Sequence, residues 1–207
     1  MNVFWLTLHG TDEAYSQIFQ PLLKWQLPLK WYVASLFLVL LLAFPSIRQD
    51  GGLAQALSSR PIGSWLLSFA TYVVAAIPVE VEVAWRGFAL PHLQKRYSAF
   101  AASMIIGVLW VVWHAPLLFN LDNVMSTYPL LPWFVDVMID SVIYVWLYNS
   151  TKGSVFLLVL YHALSNTLGG FAGWSTATAS IAIAALLLLI YKPATISANG
   201  RKYSLSD

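Results

Sequence analysis

The sequence predicts an all-α protein, a polytopic transmembrane helical bundle of about six spans. Of its 207 residues, 59% are hydrophobic and only 10% are charged, whereas a soluble domain carries roughly 25% charged residues. Aromatic residues reach 15%, including 10 Trp, as expected where indole and phenol rings line the membrane interfaces. Uninterrupted apolar runs also recur along the chain. We therefore expect an integral membrane protein surrounded by the lipid bilayer.

Composition excludes several classes of function. The net charge of +2 is too small to indicate nucleic acid binding. The chain has no Cys, which excludes disulfides, a thiol nucleophile and thiolate metal sites. The N-terminus lacks a basic region and a cleavage-site pattern, so a removable signal peptide is not expected.

The apolar runs divide the chain into an N-terminal segment, a helical domain and a tail. Residues 1–30 mix Trp, Leu and Lys, which is typical of an interfacial segment and equally compatible with an ordered linker. The transmembrane domain is predicted over 31–191, followed by a polar cytoplasmic tail over 192–207. Pro, Gly and charged clusters separate the runs. The six predicted spans are 31–46, 65–79, 100–119, 131–148, 154–168 and 176–191.

Three of these boundaries depend on proline. The first span is expected to close in the segment 44–52, which contains Pro45, charged residues and Gly. Pro78 is expected to kink the second span. The charged segment that follows the second span is expected to stop at Leu90 and Pro91.

The positions of Lys and Arg predict the orientation in the membrane. With six spans, both termini and the loops after the second and fourth spans share one side. That side holds eight basic residues and the other side holds Arg48 and Arg60, while Arg86 lies within a helix. The positive-inside rule therefore places both termini of a multi-pass cytoplasmic-membrane protein in the cytoplasm. The eight residues are Lys24, Lys30, Lys95, Arg96, Lys152, Lys192, Arg201 and Lys202.

Three pairs spaced i, i+4 lie in otherwise apolar segments. This spacing places both side chains of a pair on one helix face. Ionisable groups in membrane helices are costly and tend to face the bundle interior or a wet cavity. The pairs therefore predict one shared, buried, hydrolytic site. They are Glu82 with Arg86, Trp110 with His114, and His162 with Asn166.

Structural roles remain open for each pair. Glu82 and Arg86 can equally form a buried ion pair that braces two helices, and a lone His such as His114 is more often a hydrogen-bonded core residue. Two intramembrane histidines beside an ion pair favour mutual partnering, because each buried polar group needs a partner. Histidine can then act as base, oxyanion donor or metal ligand, and the amide of Asn166 suits a developing oxyanion.

Asp136 and Asp140 form a fourth pair with the same spacing and compete as a functional feature. Two carboxylates on one helix face can carry a proton or a cation, which makes a small transporter a weaker rival. Alternatively, they lie near a helix end or bond to neighbouring helices. Asp140 is better placed than Asp136 to face the shared cavity.

The motifs resemble one known family. The run Glu82-Val-Ala-Trp-Arg86-Gly-Phe-Ala-Leu-Pro, the Trp-xxx-His114-Ala-Pro motif and the His162-xxx-Asn166 motif resemble the CPBP family of intramembrane proteases. That family includes the type II CAAX prenyl proteases and the bacteriocin-processing and self-immunity (Abi) proteins. Its pattern is EExxxR, then an aromatic residue-xxx-His, then HxxxN. The resemblance covers about 78–170.

The resemblance implies an intramembrane endopeptidase that acts on a membrane-associated or prenylated protein or peptide, including peptides processed in maturation or bacteriocin self-protection. It implies that His114 orients a water molecule and that His162 and Asn166 form the oxyanion site. Arg86 corresponds to the Arg that holds the carboxylates, and Glu82 to the second Glu of EExxxR.

The sequence departs from the family pattern at the first Glu, the residue usually assigned to activating water. Val81 occupies that position, and Glu80 and Glu82 each lie about 100° from it around an α-helix. Three outcomes are open: Glu82 serves as base, Glu80 turns in near the Pro78 kink, or the protein is catalytically weak. Glu82 is favoured because it keeps its partner Arg86. The rival function is an inactive membrane scaffold or immunity protein of the same fold.

A metal is the remaining alternative. Family members are often labelled metalloproteases, and His114, His162 and Glu82 could hold zinc with an open position for water. However, HExxH spacing is absent, so metal-free hydrolysis is favoured and no cofactor is predicted.

The resemblance also bears on the surroundings of the site. The family commonly has further N-terminal spans, so one or two helices are expected to be missing here, which would leave the bundle open or dependent on a partner or oligomer. The cavity is expected to open to the cytoplasmic side or laterally to lipid.

Overall fold

The computed structural model describes residues 19–76, 82–169, 171 and 173–203. These residues form helices and connecting segments and contain no strand, so the prediction of an all-α membrane bundle is confirmed. Short 3₁₀ helices lie at Gln20–Leu23 and Val124–Thr127, and a π-helix spans Val83–Ala89. The α-helices of the described residues are α1 (Leu29–Gln49), α2 (Leu53–Ser58), α3 (Ile62–Ala76), α4 (Leu90–Gln94), α5 (Ala99–Leu118), α6 (Leu130–Ser150), α7 (Val155–Leu168) and α8 (Trp174–Tyr191).

Six helices correspond to the six predicted spans. Of these, α1, α5, α6 and α8 are long and apolar enough to cross a membrane, whereas α3 and α7 are shorter apolar helices. The end of the predicted second span, at 77–79, and the kink predicted at Pro78 lie outside the described residues. Sequence therefore located the helices, while α2 is an additional helix in a segment expected to be a polar loop.

Helix α6 occupies the centre of the bundle. It packs against α5 on one side and α8 on the other, while α1 packs on α7 and α8, and α3 packs on α7. Every residue of its second half, 141–150, is buried. A helix that is apolar on all sides belongs in a core, and the other helices surround α6 accordingly.

α1 ends at Gln49, within the segment 44–52 that was predicted to close the first span, and Pro45 lies inside the helix. Gly51 and Gly52, both at φ +94°, follow its end. Glycine adopts this left-handed conformation without a steric penalty. The stop expected at Leu90 and Pro91 was wrong, since Pro91 lies at the start of α4, directly after the π-helix. The helix therefore continues beyond Pro91 to Gln94.

The EExxxR-like segment is not an ordinary α-helix. From Val83 to Ala89 it forms a π-helix that leads directly into α4. A π-helix uses i→i+5 hydrogen bonds, is rare and often occurs at functional sites. Glu82 immediately precedes this wider turn.

One end of the bundle is closed by a hydrogen-bond network centred on buried Asn149. Its Nδ2 donates to Oε1 of Gln94 at 2.8 Å and to the carbonyl oxygen of Thr195 at 2.8 Å. Its Oδ1 accepts from the side-chain amide of Gln94 at 3.0 Å and from the backbone N–H of Tyr203 at 3.1 Å. Lys202 donates to the carbonyl oxygen of Gln94 at 2.6 Å. The described part of the tail, up to Tyr203, therefore packs against the bundle.

The N-terminal segment reaches the same end. Nζ of Lys24 donates to the carbonyl oxygen of Lys152 at 2.6 Å, and Oγ of Ser154 donates to the carbonyl oxygen of Lys24 at 2.7 Å. Gly153, at φ +84°, permits this closure because a Cβ there would lie 2.1 Å from the ring of Tyr203. We call this the basic end, since the eight basic residues assigned to one side lie on the segments that meet here.

Candidate active site

The site is centred on Glu82, whose side chain is fully buried. Its Oε1 accepts a hydrogen bond from Nη1 of Arg86 at 3.1 Å and one from Nδ1 of His162 at 2.8 Å. Its Oε2 is buried and has no hydrogen-bond partner among the described residues. One carboxylate therefore links the π-helix to α7 and keeps an unused oxygen.

Arg86 is held between two aromatic rings. Its Cζ lies 4.5 Å from the ring centroid of Trp110 and 4.0 Å from that of Tyr144. Both distances fall within the range of a cation–π interaction, which is stronger in a desolvated setting. Because Nη2 has no hydrogen-bond partner among the described residues, these rings form much of the guanidinium's surroundings.

His114 lies beside the same tryptophan. Its Nδ1 donates to the backbone carbonyl oxygen of Trp110 at 2.8 Å, which leaves Nε2 as the acceptor of the neutral ring. The ring centroid of Trp110 is 5.8 Å from that of His114 and 6.0 Å from that of His162. The structure thus brings Glu82, Arg86, His114 and His162 together beside Trp110.

A cavity of about 430 Å³ adjoins these groups. His114, His162 and Asn166 line it, together with an apolar wall from α1 that includes Val39 and Leu42. Glu82 does not contribute to the described lining. It lies behind His162, so its hydrogen bond to Nδ1 directs Nε2 of His162 away from the carboxylate.

Asp136 and Asp140 both line this cavity, so Asp140 does face it as expected, and Asp136 faces it as well. Oδ1 of Asp140 accepts from the hydroxyl of Tyr161 at 3.0 Å, and Oδ1 of Asp136 accepts from Oγ of Ser180 at 2.5 Å. Each carboxylate is therefore bonded to a neighbouring helix, as the structural alternative for this pair predicts.

A family model agrees with this geometry. The model that describes type II CAAX prenyl endopeptidase Rce1-like proteins matches residues 61–168, a little over half of the chain. The chain belongs to this family. All five described candidate residues of the Rce1-like site lie within the matched region: Glu82, Arg86, His114, His162 and Asn166.

A curated relative supports the same family. The CAAX prenyl protease 2 of Methanococcus maripaludis is 31% identical over 145 residues, which cover 64% of this chain and 51% of the relative. The chain therefore spans about half the length of the relative that it matches.

One prediction for this Rce1-like chain concerns residues outside the described ranges. Glu80 and Val81 lie outside the described residues, so the prediction that Glu80 can turn into the site stays a prediction. The described residues contain no group of three or more His, Cys, Asp or Glu side chains arranged to hold a metal. His114, His162 and Glu82 do not form such a group.

Sequence reasoning missed Tyr144 and Tyr161. Tyr144 is buried on α6, packs against Tyr161 at 4.9 Å between ring centroids, and faces His162 at 6.3 Å. Neither tyrosine belongs to the motifs of the Rce1-like resemblance. The available signal was position, because Tyr144 follows Asp140 by one turn and Tyr161 immediately precedes His162.

Replacing Tyr144 tests its role in positioning Arg86. Tyr144→Leu is expected to lower kcat for peptide cleavage by roughly 10- to 30-fold, the loss of about 2 kcal/mol of cation–π stabilisation. KM should change little, because Tyr144 does not line the cavity. Tyr144→Phe, which keeps the ring, should retain nearly wild-type kcat. Equal kcat values for the Leu and Phe variants would show that the ring does not position Arg86.

Proposed function

We propose that the protein is an intramembrane endopeptidase that hydrolyses a membrane-associated or prenylated protein or peptide. The observation that carries this proposal is the line from buried Glu82 through His162 to the cavity. A carboxylate that bonds Nδ1 of a histidine fixes its tautomer and stabilises the imidazolium that forms when Nε2 takes a proton. The family membership supports the same reaction.

In the proposed reaction, Nε2 of His162 removes a proton from a cavity water molecule, and the water oxygen forms a bond to the scissile carbonyl carbon. Nε2 of His114 accepts a hydrogen bond from the other O–H of this water and so orients it. The amide of Asn166 donates to the oxyanion. The C–N bond then breaks as His162 passes its proton to the leaving amine.

This assignment differs from the roles implied by family resemblance, in which a Glu is the base and His162 belongs to the oxyanion site. The position of Glu82 outside the cavity lining favours action through His162. The unpartnered Oε2 of Glu82 supports the other route, in which Glu82 itself removes the proton from water.

The second candidate is a catalytically weak or inactive scaffold, or a self-immunity protein of the same fold. Val81 favours it, since the family places its usual base at that position. Under this proposal the ion pair of Glu82 and Arg86 and the hydrogen bond from His162 to Glu82 serve only to hold the π-helix segment against α7.

The proposed location is the cytoplasmic membrane, with both termini in the cytoplasm. The distribution of Lys and Arg supports this orientation. The structure adds that Lys24, Lys152 and Lys202 all lie at one end of the bundle.

Peptide cleavage by the purified protein tests the proposal. His162→Ala and Asn166→Ala are expected to abolish or strongly reduce cleavage of a peptide library. His92→Ala is the control, since His92 is exposed and its Nδ1 bonds only a backbone carbonyl oxygen, at 2.7 Å, among the described contacts. Cleavage that appears only in Val81→Glu would favour the scaffold, and loss of activity on chelation would favour zinc.

A further inference from the structure

The last turn of α7 carries Asn166, and its carbonyl groups need partners from outside the helix. The last four carbonyl groups of an α-helix have no partner within the helix. In α7, the carbonyl oxygen of Ser165 accepts from the N–H of Gly169 at 2.7 Å, where the helix ends. The carbonyl oxygen of Thr167, the residue after Asn166, lies beyond this closure and requires another donor.

Arg60 provides that donor from a distant part of the chain. It lies in the segment between α2 and α3, and its Nη2 donates to the carbonyl oxygen of Thr167 at 3.1 Å. A cation that bonds the last carbonyl groups of a helix also interacts favourably with the negative end of the helix dipole. Arg60 therefore caps α7 beside Asn166.

The guanidinium of Arg60 is held on its other sides by α3. Its Cζ lies 3.6 Å from the ring centroid of Trp65, and its Nη1 donates to Oγ of Ser68 at 3.1 Å. A planar guanidinium that stacks on a ring and bonds through both terminal nitrogens is fixed in orientation. These contacts make the cap a rigid link between α3 and α7.

Arg60 lies outside the substrate cavity. It lines a separate pocket of about 320 Å³ together with Trp65 and Thr167, and it is absent from the described lining of the cavity of about 430 Å³. The two pockets have Gly169 in common, at the end of α7. Any effect of Arg60 on the candidate site therefore passes through α7.

The two site residues of α7 differ in how they are held. His162, near the middle of the helix, is fixed by the hydrogen bond between its Nδ1 and Glu82 at 2.8 Å, whereas Asn166 is exposed in the last turn. Fraying of that turn would move the amide of Asn166 and leave His162 in place. We propose that Arg60 is a positioning residue, which holds the last turn of α7 so that Asn166 stays within reach of the oxyanion. This inference rests on the proposed endopeptidase function.

Arg60→Leu is expected to lower kcat for peptide cleavage by about 10-fold with little change in KM, because small displacements of a catalytic group reduce the rate. The loss should stay below that of Asn166→Ala, since removal of an oxyanion donor costs about 10²- to 10³-fold. Arg60→Lys keeps a charged donor and should recover part of kcat. Arg48→Leu, at an exposed basic residue near the end of α1, is the matched control and should retain wild-type kcat. An Arg60→Leu variant with wild-type kcat would overturn the inference.

A double variant separates positioning from a general loss of stability. In the Asn166→Ala background no amide remains to be positioned, so Arg60→Leu should lower kcat there by less than about 2-fold. The same roughly 10-fold loss in both backgrounds would make Arg60 only a brace between α3 and α7 and would overturn the inference.

The absence of Cys allows a second test that needs no activity. A nitroxide spin label attached at Asn166→Cys reports the mobility of the last turn of α7, and a label at Leu189→Cys, exposed in the last turn of α8, is the control. Arg60→Leu is expected to raise the mobility of the label at position 166 only. Unchanged mobility there in an active enzyme would overturn the inference and leave the endopeptidase function standing. A wild-type protein that cleaves no peptide would overturn the proposed function and the catalytic part of this inference, whereas the label would still show whether Arg60 fixes the turn.

Discussion

Glu82→Gln is expected to reduce the rate of peptide cleavage by about 10³- to 10⁴-fold, comparable to the loss when the carboxylate behind a catalytic histidine becomes an amide. The amide nitrogen of Gln can donate to Nδ1 of His162 and so reverses the tautomer that the carboxylate imposes. Nε2 would then carry the hydrogen and could not take one from water. Initial rates at saturating substrate measure the effect directly.

The control for this substitution is another carboxylate-to-amide change. Asp122→Asn, in the exposed loop after α5, should leave the rate near that of wild type. Glu82→Gln is nearly isosteric, so thermal unfolding in detergent should still show a folded protein. A folded Glu82→Gln variant with wild-type kcat would remove Glu82 from the mechanism.

Arg86→Leu is expected to destabilise the protein by about 3–5 kcal/mol, because it leaves the buried carboxylate of Glu82 without its cation. The Nη1–Oε1 bond at 3.1 Å joins two side chains that are 1% and 0% exposed. Water cannot replace the lost partner there at low cost. The free energy of unfolding in mixed detergent micelles, followed by circular dichroism, measures the loss.

A double variant distinguishes an unpaired charge from lost packing. Glu82→Leu with Arg86→Leu removes both charges and should be more stable than Arg86→Leu alone, since apolar replacement of a whole buried ion pair is often neutral or stabilising. If the two single losses instead add in the double variant, the ion pair contributes no coupling energy. Stability restored without activity would also separate the structural from the catalytic role of the pair.

The sequence predicted which residues meet in the site because ionisable side chains stand out in the apolar runs of a membrane protein. Few ionisable residues lie inside the apolar runs, and each needs a partner, so the i, i+4 pairs were informative. Glu82, Arg86, His114 and His162 do meet around Trp110. Their catalytic roles remain predictions that the assays above address.

The errors came from features that depend on tertiary structure. Pro91 was expected to end a helical segment, but the helix continues through it to Gln94. Tyr144 belongs to no motif and acquires its position only when α6 packs at the centre.

The π-helix sets the angle around the helix axis between two residues that contact neighbouring helices. We call these two residues, Glu82 and Gln94, the anchors. Glu82, before the π-helix, contacts α7 through His162, and Gln94, after it, contacts α6 through Asn149. Each residue of an α-helix turns the chain by about 100°, so removing one residue between the anchors would rotate one against the other by that angle. The π-helix thus lets a single helical segment place a carboxylate behind His162 and an amide at the closed end.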